Sequence, residues 1–245
     1  MRALVLAAGV GSRLRPYTDD LPKPLLEVGG QPIIAYNLAM LAAGGFTDIV
    51  INLHHLPEVV RAYAGSGERW GLRITYSEEP ELLGTGGALS PLAAQFGAET
   101  FAVVFGDNVN DIDVTDMLAR HRASGALATV AVCRRDDVSQ SGVAEIDAHD
   151  RIRRFIEKPQ AGETDSRWIN AGVVLAEPGL LGYLPPHGAA DLGRDILPRL
   201  LEEPGGVHAY PMTGPHWWFD RMEDYQAALN DPRLQRLARR IPSHG

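Results

Sequence analysis

Residues 1–16 read Met1-Arg2-Ala3-Leu4-Val5-Leu6-Ala7-Ala8-Gly9-Val10-Gly11-Ser12-Arg13-Leu14-Arg15-Pro16. The opening mimics a secretory leader, but its apolar run stops at Gly9 and is followed by Arg13 and Arg15, so residues 3–7 are expected to form a buried strand. A Gly-rich turn at the carboxyl end of a parallel strand is where anionic ligands bind in such sheets. Glycine can take φ > 0 and lets backbone N–H groups approach phosphate oxygens with no Cβ in the way, and Arg13 adds a planar cation. Two familiar phosphate motifs are excluded. Position 14 is Leu where a dinucleotide fingerprint wants Gly, and no Gly-Lys dipeptide exists for a P-loop. Taken alone, Gly9 and Gly11 fit a tight strand exit equally well.

Outward from this turn, short β-like runs alternate with helical spacing. Strands are expected at 3–7, 48–53, 73–76, 101–105 and 128–133, and crossover helices at 33–43, 57–64, 86–95 and 114–123. After Cys133 the runs shorten to 143–146, 152–156 and 169–175, the texture of an antiparallel subdomain. The tail returns to helix at 193–202 and 223–237, with Pro204-Gly205-Gly206 as a turn. The expected class is α/β: a doubly wound, mostly parallel, Rossmann-like sheet with a small antiparallel subdomain. No short repeat is visible, so no C-terminal β-helix is expected. Residues 1–245 are expected to form one domain, with a first part over about 1–133 and a second over about 134–245.

Composition narrows the partners. The 245 residues carry 23 Lys and Arg against 31 Asp and Glu, a net charge of −8, which excludes nucleic-acid binding by global positive charge. Apolar residues are 45% and charged residues 22%, the balance of a chain that folds. Nowhere do about 18 apolar residues run together, so no membrane span is expected. The lone Cys133 cannot make an internal disulfide or a Cys-rich metal site and fits a reducing cytoplasm. His54-His55 has neither helical ligand spacing nor acids in motif, so the histidines are assigned no metal.

The glycine turn continues through Pro16 and Thr18 to Pro22-Lys23-Pro24-Leu25-Leu26. Pro22 and Pro24 stiffen the chain on both sides of Lys23, so its ammonium is presented as a pre-placed charge. Further along stand Leu83-Gly84-Thr85-Gly86-Gly87-Ala88-Leu89, Val104-Phe105-Gly106-Asp107-Asn108, Phe155-Ile156-Glu157-Lys158-Pro159, Asn170-Ala171-Gly172-Val173 and Trp217-Trp218-Phe219-Asp220-Arg221-Met222-Glu223-Asp224-Tyr225. In this order, from residue 3 to about 225, the segments resemble the sugar-1-phosphate nucleotidylyltransferases, the pyrophosphorylases that make nucleotide sugars. Ser12 replaces the commoner Thr, and Arg221-Met222 stands where the family has an Asp-x-Gly step.

The resemblance implies a Mg²⁺-dependent enzyme joining an NTP to a sugar-1-phosphate, with release of pyrophosphate. It assigns Leu6, Ala8, Gly9, Gly11, Ser12, Arg13, Lys23, Glu79, Gly84 and Thr85 to the nucleotide. Asn108, Gly142, Glu157, Lys158 and Asn170 go to the sugar phosphate, and Asp107 and Asp220 to the metal. Arg13, Lys23 and Asp107 would carry catalysis by neutralising and aligning two anions, without a nucleophilic side chain. A net charge of −8 does not oppose this, because the Debye length is about 8 Å and nearby cations outweigh distant acids.

Glu79, before Pro80, falls where the family reads the base edge. A carboxylate only accepts, which suits guanine or the N3–H of a pyrimidine better than adenine. The middle section most resembles guanylyltransferases for heptose- and mannose-1-phosphate, and uridylyl- and thymidylyltransferases share most of these segments. A nucleotide-sugar-binding regulatory homologue is the alternative of another class. A nicotinamide oxidoreductase would need the missing third glycine. The resemblance leaves room for a homodimer, which the residues do not decide.

Overall fold

The computed structural model describes residues 1–242, which fall into two compact units interleaved along the chain. The first unit takes 1–82, 104–114 and the chain from Gly214 on; the second takes 83–103 and 115–213. Among the described residues no helix is long and apolar enough to cross a membrane.

In the first unit the strands Arg2–Leu6, Asp48–Leu53 and Arg73–Glu78 lie side by side in that order, all parallel, with Leu6 opposite Asn52 and Asn52 opposite Ser77. Ala3, Leu4, Val5, Ile49, Ile51 and Leu53 are essentially inaccessible. Each such Leu, Val or Ile side chain adds about 1.5–3 kcal/mol on burial, which is why the first two of these strands are apolar runs rather than alternating. The helices Ile33–Ala43 and Pro57–Ala64 make the crossovers, at the boundaries periodicity predicts. Ile33–Ala43 has no polar face: Ile33, Ile34, Ala35, Tyr36, Asn37, Leu38 and Leu41 are all buried.

Two features of this unit position the site. The strand Phe101–Phe105 ends next to Leu6: Gly106 N–H donates to the Leu6 carbonyl at 2.9 Å, and a Cβ at Gly106 would stand 2.7 Å from that oxygen. Only glycine lets the chain pass so close to the first strand's end. Beyond it, the strand Asn108–Asn110 pairs antiparallel with His216–Trp218, Asn108 facing Trp218. Asp107 and Asp220 therefore flank the same end of one short ribbon.

The second unit is built on antiparallel pairs. Trp168–Ala176 runs against Ala128–Arg134, and the hairpin Gly142–Ile146 with Ile152–Glu157 joins it through Val143 and Ala144. Val207–Pro211 adds a parallel edge on Ala128–Arg134. The α/β class and the antiparallel texture after Cys133 are as expected from sequence.

Three expected helices differ from what forms. The stretch 86–95 is not one helix but the pieces Gly84–Gly87, Ser90–Leu92 and Ala93–Phe96, because Pro91 cannot donate and residues 84–87 are three glycines and a threonine. The stretch 193–202 is a π-turn, Leu192–Ile196, followed by Leu197–Leu200, with the break at Pro198. The stretch 223–237 divides into Met222–Leu229 and Pro232–Ala238; Asp231 caps the second piece by accepting the Arg233 N–H. Cys133 is buried, and burial pushes its thiol pKa up to about 11.

Candidate active site

The glycine turn is held from below. Gly11 has φ +67°, and a Cβ there would lie 3.0 Å from Thr18 Cγ2 and 3.1 Å from Lys23 Cβ. Thr18 donates its hydroxyl to the Gly11 carbonyl at 2.9 Å. Gly9 is different: a Cβ there would meet nothing. Gly11 thus serves the fold, while nothing in the fold requires Gly9 to be small. Ser12 and Arg13 are exposed beside it, in the short 3₁₀ turn Ser12–Leu14.

Lys23 opens a second 3₁₀ turn, Lys23–Leu25, framed by Pro22 and Pro24, and only 6% of the residue is exposed. Its ammonium donates to Asp107 Oδ2 at 2.7 Å and to Asp220 Oδ1 at 2.5 Å, and Arg13 donates to Asp220 Oδ2 at 2.9 Å. Burial works against the charged ammonium, yet the two carboxylates outweigh it and hold the Lys23 pKa above the usual lysine value. Two cations and two carboxylates from four remote segments therefore converge. Arg221 takes the N-cap position of the helix Met222–Leu229, so the irregular step after Asp220 becomes a helix entry.

The donor set suits a magnesium ion. Mg²⁺ is bound through one or two carboxylates, with waters and substrate phosphates completing its shell. Asp107 and Asp220 are hard oxygen donors brought to one point, and among the described residues no group of three or more His, Cys, Asp or Glu is arranged as a self-sufficient metal cage.

A buried network beside the turn was not anticipated. Asn52, 3% exposed, accepts the Ala7 N–H on Oδ1 at 2.6 Å and donates from Nδ2 to Glu79 Oε1 at 2.8 Å. His54 Nδ1 lies 2.7 Å from the Glu79 carbonyl oxygen. Glu79 is itself only 4% exposed, so the carboxylate expected to read a base edge is tied through one amide to the start of the glycine turn. Asn108 is also buried, its carbonyl accepting from Asn37 at 3.1 Å.

In the second unit Glu157 and Lys158 line a cavity of about 520 Å³ together with Arg154, Phe155, Ile156, Glu163, Asp191 and Arg194. Lys158 adopts φ +50°, a left-handed conformation rare for a side-chain-bearing residue, with its N–H on the Ser141 carbonyl at 3.0 Å. Strained backbone of this kind clusters at functional sites. Burial raises the Glu157 pKa, Asp191 adds to the rise, and Lys158 and Arg194 oppose it. A Cβ at Gly142 would lie 2.8 Å from Glu157 Oε2. Asn170 is not among the residues lining the cavity: its Oδ1 accepts the Gly172 N–H at 2.8 Å inside a strand bulge. Gly84 and Thr85 pack on the 188–192 segment, and Thr85 donates to Asp191 Oδ2 at 2.7 Å. Asp191, Arg194 and Arg154 lie outside every motif; an acid before Leu-Gly-Arg in the tail was the only signal of the first two, and Arg154 directly precedes the Phe155–Pro159 segment.

Residues 2–228 match the nucleotidyl transferase family, and the chain belongs to it. It is 34% identical over 244 residues to a UTP–glucose-1-phosphate uridylyltransferase of Synechocystis, covering 94% of this chain and 62% of that protein. It is 33% identical over 218 residues to a mannose-1-phosphate guanylyltransferase of Mycobacterium tuberculosis, covering 89% and 60%. The chain thus spans about three fifths of the length of these curated relatives. A Bacillus anthracis structure provisionally named a glucose-1-phosphate thymidylyltransferase, solved with sucrose, superposes with a TM-score of 0.86 at 28% identity, over 100% of this chain and 98% of that one.

Proposed function

We propose that the chain transfers a nucleotidyl group from an NTP to a sugar-1-phosphate. The carrying observation is the buried Lys23 held between Asp107 and Asp220 beside the glycine turn. The sugar-phosphate oxygen attacks the α-phosphorus, the bond to the β-phosphate oxygen breaks, and pyrophosphate leaves with its electron pair. Arg13 and the amides of Gly9 to Ser12 bind the β- and γ-phosphates, and Lys23 stabilises charge on the phosphoryl oxygens. A magnesium ion held by Asp107 and Asp220 would add charge neutralisation at the triphosphate. Lys158, which lines the cavity, holds the sugar phosphate, and Glu157 accepts from sugar hydroxyls.

For the base we favour guanine. The Ala7 N–H fixes the Asn52 oxygen, which leaves the Asn52 amide to donate to Glu79 Oε1 and so holds the carboxylate in place, and a carboxylate accepts from guanine's N1–H and N2–H₂ face. A mannose- or heptose-type sugar accompanies that choice by family likeness, and the Mycobacterium relative supports it. Uridylyl transfer is the second reading, supported by the Synechocystis relative. The test is a matrix of four NTPs against a panel of sugar-1-phosphates with Mg²⁺, scored by pyrophosphate release and product mass. Turnover with GTP and mannose-1-phosphate is expected. Tight NDP-sugar binding with no pyrophosphate from any pair would instead mark a regulatory homologue.

A further inference from the structure

The cavity of the second unit contains an acid whose bonds reach well beyond it. Asp191 precedes the π-turn Leu192–Ile196, a rare form of helix that recurs at functional sites. Both of its oxygens are engaged: Oδ1 accepts the Arg194 N–H at 3.0 Å, and Oδ2 accepts the Thr85 hydroxyl at 2.7 Å. Thr85 Oγ1 in turn accepts the Leu192 N–H at 2.8 Å. Asp191 cannot donate when ionised, so the hydroxyl proton has one direction to point. The backbone repeats the connection. The Ala190 carbonyl accepts from Gly86 and Gly87 at 2.8 and 3.1 Å, and the Ala190 N–H donates to Leu83 at 2.9 Å. A Cβ at Gly84 would stand 2.6 Å from the Ala190 oxygen.

On the cavity side the same turn meets the strand Ile152–Glu157. A Cβ at Gly193 would lie 2.8 Å from the Phe155 ring, 3.3 Å from Glu157 Oε2 and 3.4 Å from Asp191 Oδ1, so the missing side chain is what permits the approach. Arg194 comes from this turn as well, its guanidinium gripped twice by Asp195 at 2.9 and 2.8 Å. Asp195 also accepts the Asp191 N–H at 2.8 Å.

We propose that Asp191 is a positioning residue for the sugar phosphate: through Thr85 it locks the turn that sets Arg194 and Glu157 in the cavity wall. The segment 84–87 thereby governs affinity for the sugar phosphate. This rests on the assignment of the cavity to the sugar phosphate under the proposed function.

Steady-state pyrophosphate release, with sugar-1-phosphate varied at saturating NTP, tests it. Thr85→Val keeps the side chain's shape and removes the hydroxyl, and Thr85→Ser keeps the hydroxyl. Thr85→Val is expected to raise the KM for sugar-1-phosphate about tenfold, the scale of one hydrogen bond to a charged group, with kcat changed less than about threefold. Thr85→Ser should return the KM to within about twofold of wild type. Asp191→Asn combined with Thr85→Val should cost no more than the worse single change, because the two act through one bond. An unchanged KM for sugar-1-phosphate in Thr85→Val, a rise confined to the NTP, or failure of Thr85→Ser to rescue would each overturn the coupling while leaving the transferase assignment intact. A wild-type chain that turns over no substrate pair would overturn both.

Discussion

Lys23 and Asp220, 197 residues apart in sequence, meet at 2.5 Å. Asp220 shares a second oxygen with Arg13, and the Lys23 ammonium shares its other side with Asp107. Replacing Lys23 with Met would strand two acids beside one another with the central cation gone. We expect kcat to fall about 10²–10³-fold, the scale for a lost electrostatic stabiliser. We also expect stability to fall, by no more than about 3 kcal/mol because both acids keep partial contact with water. The sign of the pH dependence follows from the raised Lys23 pKa. Its contribution is fully present below the unfolded lysine pKa and is lost as pH rises through the higher folded value. Turnover and thermal melts of Lys23→Met and wild type at neutral pH and above pH 10.5 check both statements.

Asp107→Asn and Asp220→Asn keep size and remove one charge each. Each is expected to weaken Mn²⁺ binding, measured by electron paramagnetic resonance in the presence of nucleotide, and to lower kcat by about 10²-fold or more. Wild-type Mn²⁺ affinity in Asp220→Asn would remove Asp220 from the metal set.

Two glycines separate a ligand's demand from the fold's. A methyl at Gly9 meets open space, so Gly9→Ala should melt like wild type yet raise the KM for NTP several-fold. Gly84 has φ +72° and faces the Ala190 carbonyl, so Gly84→Ala should lose stability of about 1–3 kcal/mol. Equal melting temperatures for these two variants would refute the distinction.

Asn52→Leu removes the amide between Ala7 and Glu79. It leaves a buried N–H and a buried carboxyl oxygen without that partner, at about 1–3 kcal/mol for each group. We expect denaturant midpoints to drop and the ratio of kcat/KM between GTP and the other NTPs to shrink, because the Asn52 amide no longer fixes the Glu79 carboxylate.

Glu157 titrates above the ordinary carboxylate range, through burial and the neighbouring Asp191. Its accepting, ionised form is therefore lost at a higher pH than for an exposed glutamate. The KM for sugar-1-phosphate should rise as pH falls through that elevated value. A Glu157→Gln variant should show a flat profile over the same interval.

Much of this architecture is legible without coordinates. Ile33–Ala43 and Pro57–Ala64 follow from apolar spacing bounded by proline and glycine, and Asp48–Leu53 from its run of buried aliphatics. The three interrupted helices fail for a local reason: apolar spacing continues across Pro91, Pro198 and Pro232, where the backbone hydrogen bonds cannot. The ribbon of Asn108–Asn110 with His216–Trp218 is too short to show alternation, though it brings Asp107 and Asp220 together. Asn52 and Asp191 were hidden differently. Each acts through partners 27 to 106 positions away, and only the oddity of an asparagine inside a buried strand hinted at the first.

The chain leaves the first unit after Leu82, returns at Val104, leaves again after Val114 and returns at Gly214. Exchanging the second unit for that of a relative, to test whether it carries the proposed sugar preference, therefore takes four splice points rather than one. A chimera joined only near the middle of the gene would inherit Lys23 and Asp107 from one parent and Asp220 from the other.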